Sequence, residues 1–85
     1  MRLDKYLKVS RIIKRRPVAK SLAEDNRIQV NNKIAKPSYE VEIGDVIQID
    51  FEHRLIICEV TNLDKRVWNK DGEMYKMITN EYKNV

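Results

Sequence analysis

Eight side chains that are positively charged at neutral pH, Arg2, Lys5, Lys8, Arg11, Lys14, Arg15, Arg16 and Lys20, fall within the first twenty residues, and Asp4 is the one acid among them. Guanidinium groups make paired, charge-assisted hydrogen bonds to phosphate oxygens, and nearby ammonium groups add point charge. The chemistry on offer is recognition of a polyanion. Catalytic sets are missing from the sequence: it has one histidine, one cysteine and two glycines, with no Ser/His/Asp arrangement, no metal-ligand spacing and no glycine-rich phosphate loop. A binding protein is expected rather than an enzyme, with neither metal nor cofactor.

The charge is unevenly spread along the chain. Residues 1–36 hold eleven Lys/Arg against three acids, for +8, and residues 37–85 hold six against ten, for −4, which together make the net +4. A basic first part and an acidic second part suit a protein with one polyanion-facing surface. A membrane is the competing polyanion, but the first apolar stripe is too short to bury a large face among headgroups, so no membrane partner is expected. Charged residues break up the N-terminal segment before any apolar run develops, so neither a leader nor a span is read there and a cytoplasmic protein is expected.

The elements that must position these charges can be read from periodicity. Leu3, Tyr6 and Leu7 stand at i, i+3, i+4 and predict a short first helix, with Lys5 and Lys8 on another face and Asp4 in the first turn, where its charge complements the helix dipole. Tyr6 could stack on a base, yet its spacing with Leu3 and Leu7 favours the core. A densely basic, irregular loop follows Ser10. Pro17 then suits the first turn of a second helix over 17–25, with Val18, Ala19, Leu22 and Ala23 as its apolar side, and with Arg16 and Lys20 four apart on its outer face. Asn26 fits the left-handed position that closes such a helix.

Beyond it, Arg27-Ile28-Gln29-Val30, the Asn31-Asn32 turn and Lys33-Ile34-Ala35 predict a hairpin. Val41 and Ile43 alternate again, and residues 46–61 predict a second hairpin, with His53 at its solvated turn and Ile56, Cys58 and Val60 on one buried face. Met74-Tyr75-Lys76-Met77-Ile78 is open between a strand and a helical turn, Lys65-Arg66 fits a solvated surface, and the last seven residues are expected to fray. Together these elements predict one small α+β domain, in which two short N-terminal helices pack on a small antiparallel sheet over residues 1–61, with a C-terminal extension over 62–85.

Arg2-Leu3-Asp4-Lys5-Tyr6-Leu7, Ser10-Arg11, Arg15-Arg16 with Ala19, Arg27-Ile28-Gln29-Val30-Asn31, Pro37-Ser38, and Val41 with Gly44-Asp45-Val46-Ile47 resemble, in order and register, the S-four RNA-binding domain, or alpha-L motif. Asn26 and Asn32 stand where that family commonly has glycine, and asparagine tolerates the positive φ both positions want. The resemblance implies RNA contact by the two helices and the loop between them. No catalytic domain fits after the motif, and the chain looks most like the stand-alone members that act in bacterial ribosome-associated quality control, with the small ribosome-binding heat-shock protein as a cousin. By that resemblance the partners are the large ribosomal subunit with its 23S rRNA, P-site peptidyl-tRNA and the alanine-tailing factor RqcH. The resemblance also places Arg2, Arg15 and Arg16 at the contacts, and a monomer is expected. The other readings left open are a general tRNA or structured-RNA chaperone and a heat-shock-type large-subunit recycling factor.

Overall fold

The computed structural model describes residues 1–64 and 73–82; the expectations for Lys65-Arg66 and for residues 83–85 lie outside them. Helix α1 spans Leu3–Val9 and α2 spans Arg16–Glu24. The strands β1 (Ile28–Val30), β2 (Lys33–Ile34), β3 (Val46–Phe51), β4 (Arg54–Val60) and β5 (Tyr75–Tyr82) form one antiparallel sheet in the order β2-β1-β3-β4-β5.

Alternation along the central strands decides which face is covered. Ile28 and Val30, Ile47 and Ile49, and Ile56, Cys58 and Val60 are buried on one face, and Leu3, Tyr6 and Leu7 of α1 join them in one core with Ala19 and Ala23 of α2. The small alanines let the second helix come close. Val18, expected on that apolar side, is 43% exposed, because the Ala19–Ala23 row turns inward and leaves the first turn at its margin. Burial pushes the Cys58 thiol up to about 12, so it is a packed hydrophobe and not a nucleophile.

Local backbone geometry follows the sequence closely in the first half. Asn26, Asn31 and Asn32 have φ of 60°, 52° and 68°, the left-handed values their turns require. The Val41/Ile43 alternation does not make a strand. Asp45 instead organises that loop: its carboxylate accepts from the Tyr39 hydroxyl (3.2 Å), the Glu42 N–H (2.9 Å) and Asn31 Nδ2 (3.1 Å), while Asn31 Oδ1 accepts from the Val46 N–H (3.0 Å). That arrangement leaves Ile43 65% exposed and uses Gly44, at φ 95°, for the turn.

The C-terminal segment resolves into a strand. Thr79 to Tyr82, expected to fray, pair with Arg54 to Ile57, and a register shift at Ile57/Cys58 marks a bulge in β5. Tyr6 ties this strand to the first helix: its buried hydroxyl donates to the Met74 carbonyl at 2.7 Å, across 68 residues of chain, and burial raises its pKa. The Met74 carbonyl also accepts from the Thr61 and Asn62 N–H groups, so it keeps partners if the phenol is lost. Tyr6→Phe is therefore expected to cost about 1 kcal/mol, with no unsatisfied group left behind. Urea denaturation checks this, with an unchanged m-value as the sign that the fold is intact.

Candidate nucleic-acid interface

The interface begins with how α1 starts. The first N–H groups of a helix have no partner within it. Here the Leu3 and Asp4 N–H groups donate to the carbonyls of Tyr39 (2.7 Å) and Pro37 (3.2 Å), and Arg2 bridges to Glu40 in antiparallel fashion. The chain end is fixed as well: the Val41 N–H donates to the Met1 carbonyl, and the terminal ammonium meets Glu40 Oε2 at 3.0 Å. Arg2 thus leaves a backbone held on both sides.

Asp4 stands at the centre of the interface. Its side chain is 3% exposed. Oδ1 accepts from the Lys5 N–H at 2.8 Å, from Arg2 Nε at 3.2 Å and from Arg16 Nη2 at 3.4 Å, and Oδ2 accepts from Arg2 Nη2 at 3.3 Å. Burial alone would raise its pKa, but the hydrogen bonds from Arg16 and the Lys5 N–H, with the charges of Arg16 and Arg2, outweigh it and hold the carboxyl below its usual 3.8. One carboxylate therefore gathers a guanidinium from each end of the N-terminal unit, and both arginine side chains stay 46% exposed. The assembly keeps a net positive charge at its surface.

The loop between the helices is held from inside while its charges point out. Ser10 is fully buried, and its hydroxyl donates to the Leu7 carbonyl. Arg11 takes φ 65° to end α1, and Ile13, 6% exposed, reaches the core with its N–H on the Leu7 carbonyl. Arg11, Lys14 and Arg15 remain exposed. Arg15 is extended just ahead of α2, and Arg16 opens the helix one residue earlier than expected, with Pro17 next in the first turn, where its missing N–H costs nothing.

Arg2, Asp4, Arg16, Pro17 and Lys20 line an open groove of about 440 Å³. Three of the eight bases singled out in the sequence thus come together there. Lys5, Lys8, Arg11, Lys14 and Arg15 are exposed but do not line it. Lys20 also lies 4.0 Å from Glu24, one helical turn on. The sequence placed Asp4 in the first turn as a complement to the helix dipole, and the structure adds its burial, its contact with Arg2 and its reach to Arg16, twelve residues away. Only the Arg2-Asp4 spacing hinted at this. Among the described residues, no group of three or more His, Cys, Asp and Glu side chains could hold a metal.

This geometry can grip a phosphodiester. Outside the Asp4 contacts, Arg2 keeps Nη1, and Arg16 keeps Nε and Nη1, for an anion entering the groove.

The chain is also similar to known proteins. The model of the S4 domain matches residues 1–47. A Streptococcus pneumoniae protein named RQC P-site tRNA stabilizing factor is 45% identical over 80 residues, covering 93% of this chain and 91% of its own. The Bacillus subtilis protein of the same name is 42% identical over 82 residues, covering 95% of each. Among solved structures, the trimeric heat shock protein 15 of Vibrio cholerae superposes with a TM-score of 0.75 at 27% identity, over 92% of this chain and 81% of that one.

A depressed Asp4 pKa fixes the sign of an acid effect. Its contribution to stability is fully present above the unfolded value near 3.8 and is lost as pH falls through the lower folded value. Asp4→Asn is expected to lower the melting temperature at pH 7 and to narrow its gap from the unaltered protein as pH drops below about 3.8. Thermal melts across pH 2 to 7 on both proteins check this; a constant gap would mean that the carboxylate charge contributes nothing to stability.

Proposed function

The chain belongs to the S4 domain family, together with the RQC P-site tRNA stabilizing factors, and from that premise we propose that it is a non-enzymatic RNA-binding factor of ribosome-associated quality control. In this reading it binds the large ribosomal subunit that still holds a stalled peptidyl-tRNA. It bridges 23S rRNA and the P-site tRNA, and so supports the addition of alanines by RqcH in the cytoplasm. The single observation that supports it best is the buried Asp4 carboxylate presenting Arg2 and Arg16 together beside Lys20.

The mechanism is electrostatic bridging with no group transfer. Arg2 and Arg16 hold one phosphate between pre-aligned guanidiniums, so little side-chain entropy is lost on binding. Lys20 extends that contact along α2. Lys5, Lys8, Arg11, Lys14 and Arg15 supply the surrounding field and contact the second RNA, which keeps the tRNA from drifting while the tail grows. Each phosphate neutralised releases counterions, which favours binding without reading base sequence. The likeness to heat shock protein 15 supports a second reading, recycling of large subunits, which co-sedimentation with subunits lacking P-site tRNA separates from the first.

Arg2→Ala and Arg16→Ala are each expected to remove most co-sedimentation with free large subunits. Each variant leaves Asp4 the other arginine and the Lys5 N–H, so its melt should stay close to that of the unaltered protein. If either variant binds subunits normally, the groove is not the contact. RNA affinity should also fall with salt, by about 0.7–0.9 log units per log unit of salt for each phosphate engaged, and a flat response would count against phosphate contacts. Asp4→Asn makes the net charge one unit more positive, yet positioning by Asp4 predicts weaker large-subunit binding. Tighter binding would show that charge alone governs the interface.

A further inference from the structure

The two edges of the sheet are managed differently. At one edge, β2 is two residues long and follows the Asn31-Asn32 turn, so it offers little for another strand to pair with. At the other edge, β5 runs for eight residues, contains no proline and leaves Met77, Ile78 and Tyr82 at 38%, 53% and 77% exposure. A long edge strand with exposed apolar side chains is a template for strand addition.

We propose that the outer edge of β5 is a self-complementary seam through which two copies of this chain join their sheets. The sequence of the strand selects that occupant. Laid antiparallel on itself with the bulged Ile78 outside the ladder, β5 places Lys76 opposite Glu81 twice, Tyr75 opposite Tyr82, Met77 opposite Asn80 and Thr79 opposite Thr79 at the centre. The side chains also fall on matching faces. Tyr75 and Met77 pair with buried Val60 and Cys58, and Asn80 and Tyr82 with Ile56 and Arg54, so these four lie on the helix side of the sheet. Lys76, Thr79 and Glu81 pair with Glu59, Ile57 and Leu55 on the other side.

A twofold axis perpendicular to the sheet preserves those faces and closes the assembly at two copies, as an isologous interface requires. The bulge that displaces Ile78 is what brings Met77 and Asn80 onto one face and Lys76 and Glu81 onto the other; without it these pairs would be mismatched. Arg54 steadies the outer end: Nε donates to Asn80 Oδ1 at 2.8 Å, and the guanidinium lies 5.5 Å from the Tyr82 ring centroid. Tyr82 is thereby held where the partner's Tyr75 arrives. The seam involves neither helix, so both copies keep the Arg2–Arg16 groove open, and dimer formation does not depend on RNA binding.

Sedimentation equilibrium of the full chain, over concentrations up to about 100 µM, tests the seam, since a contact of this size is weak and reversible. The expected result is a monomer–dimer equilibrium. Lys76→Glu and Glu81→Lys are each expected to raise the dissociation constant about tenfold or more, by setting like charges opposite each other twice. The double exchange K76E with E81K should restore it, and an equimolar mixture of the two single variants should form mixed dimers, one seam being all acidic and the other all basic. Amide exchange across Tyr75–Tyr82 should slow as concentration rises, a readout that stays valid if a variant folds poorly. A monomer at every concentration, a trimer, or single variants that dimerise as the unaltered chain does would each overturn the proposal.

Discussion

The N-terminal unit of this protein is organised around one buried carboxylate. Asp4 sits almost without solvent contact at the start of α1, where an isolated charge would be costly, and it is stabilised by a backbone N–H and two guanidiniums. Those partners are what make the site. A buried ion pair is weak evidence for stability by itself, because desolvation offsets much of the attraction. Its value here is geometric: two arginines from separate elements are aimed at the same open groove.

The rest of the fold makes that position possible. The 37–41 loop supplies the carbonyls that α1 lacks at its N-terminus, and Asp45 and Asn31 tie the chain around that loop to the sheet. Ala19 and Ala23 bring α2 close enough to α1 for Arg16 to reach Asp4. Tyr6, beneath the same helix, carries the connection to the strand farthest along the chain. The acidic part of the sequence therefore forms most of the sheet that holds the basic part in place.

The division of charge is a division of labour between surfaces. Eight of the exposed bases lie on α1, α2 and the segments beside them, where a polyanion can meet them together. Among the described residues, Asp45 of the second part orders the backbone of a turn, and Glu59 stands opposite Lys76 in the β4–β5 register. Cations alone make a surface attractive to any nucleic acid. A fixed pair of guanidiniums adds a preferred geometry.

The sequence by itself determined the local structure and the sign of the surface. Helical spacing of Leu3, Tyr6 and Leu7, Pro17 in the first turn of α2, asparagines at left-handed positions and alternation along β3 and β4 are each set within a few residues, so they are legible without the fold. The motif order from Arg2 to Ile47 was legible as a family pattern for the same reason. Tertiary structure decided what depends on distance in the chain. It alone joined Asp4 to Arg16, Tyr6 to Met74 and Asn31 to Asp45, and separated Arg2, Arg16 and Lys20 from five equally basic neighbours. It also turned the Val41–Ile43 alternation into a loop and Thr79 to Tyr82, expected to fray, into part of β5, because hydrogen-bond partners supplied by remote residues outweigh weak local preference.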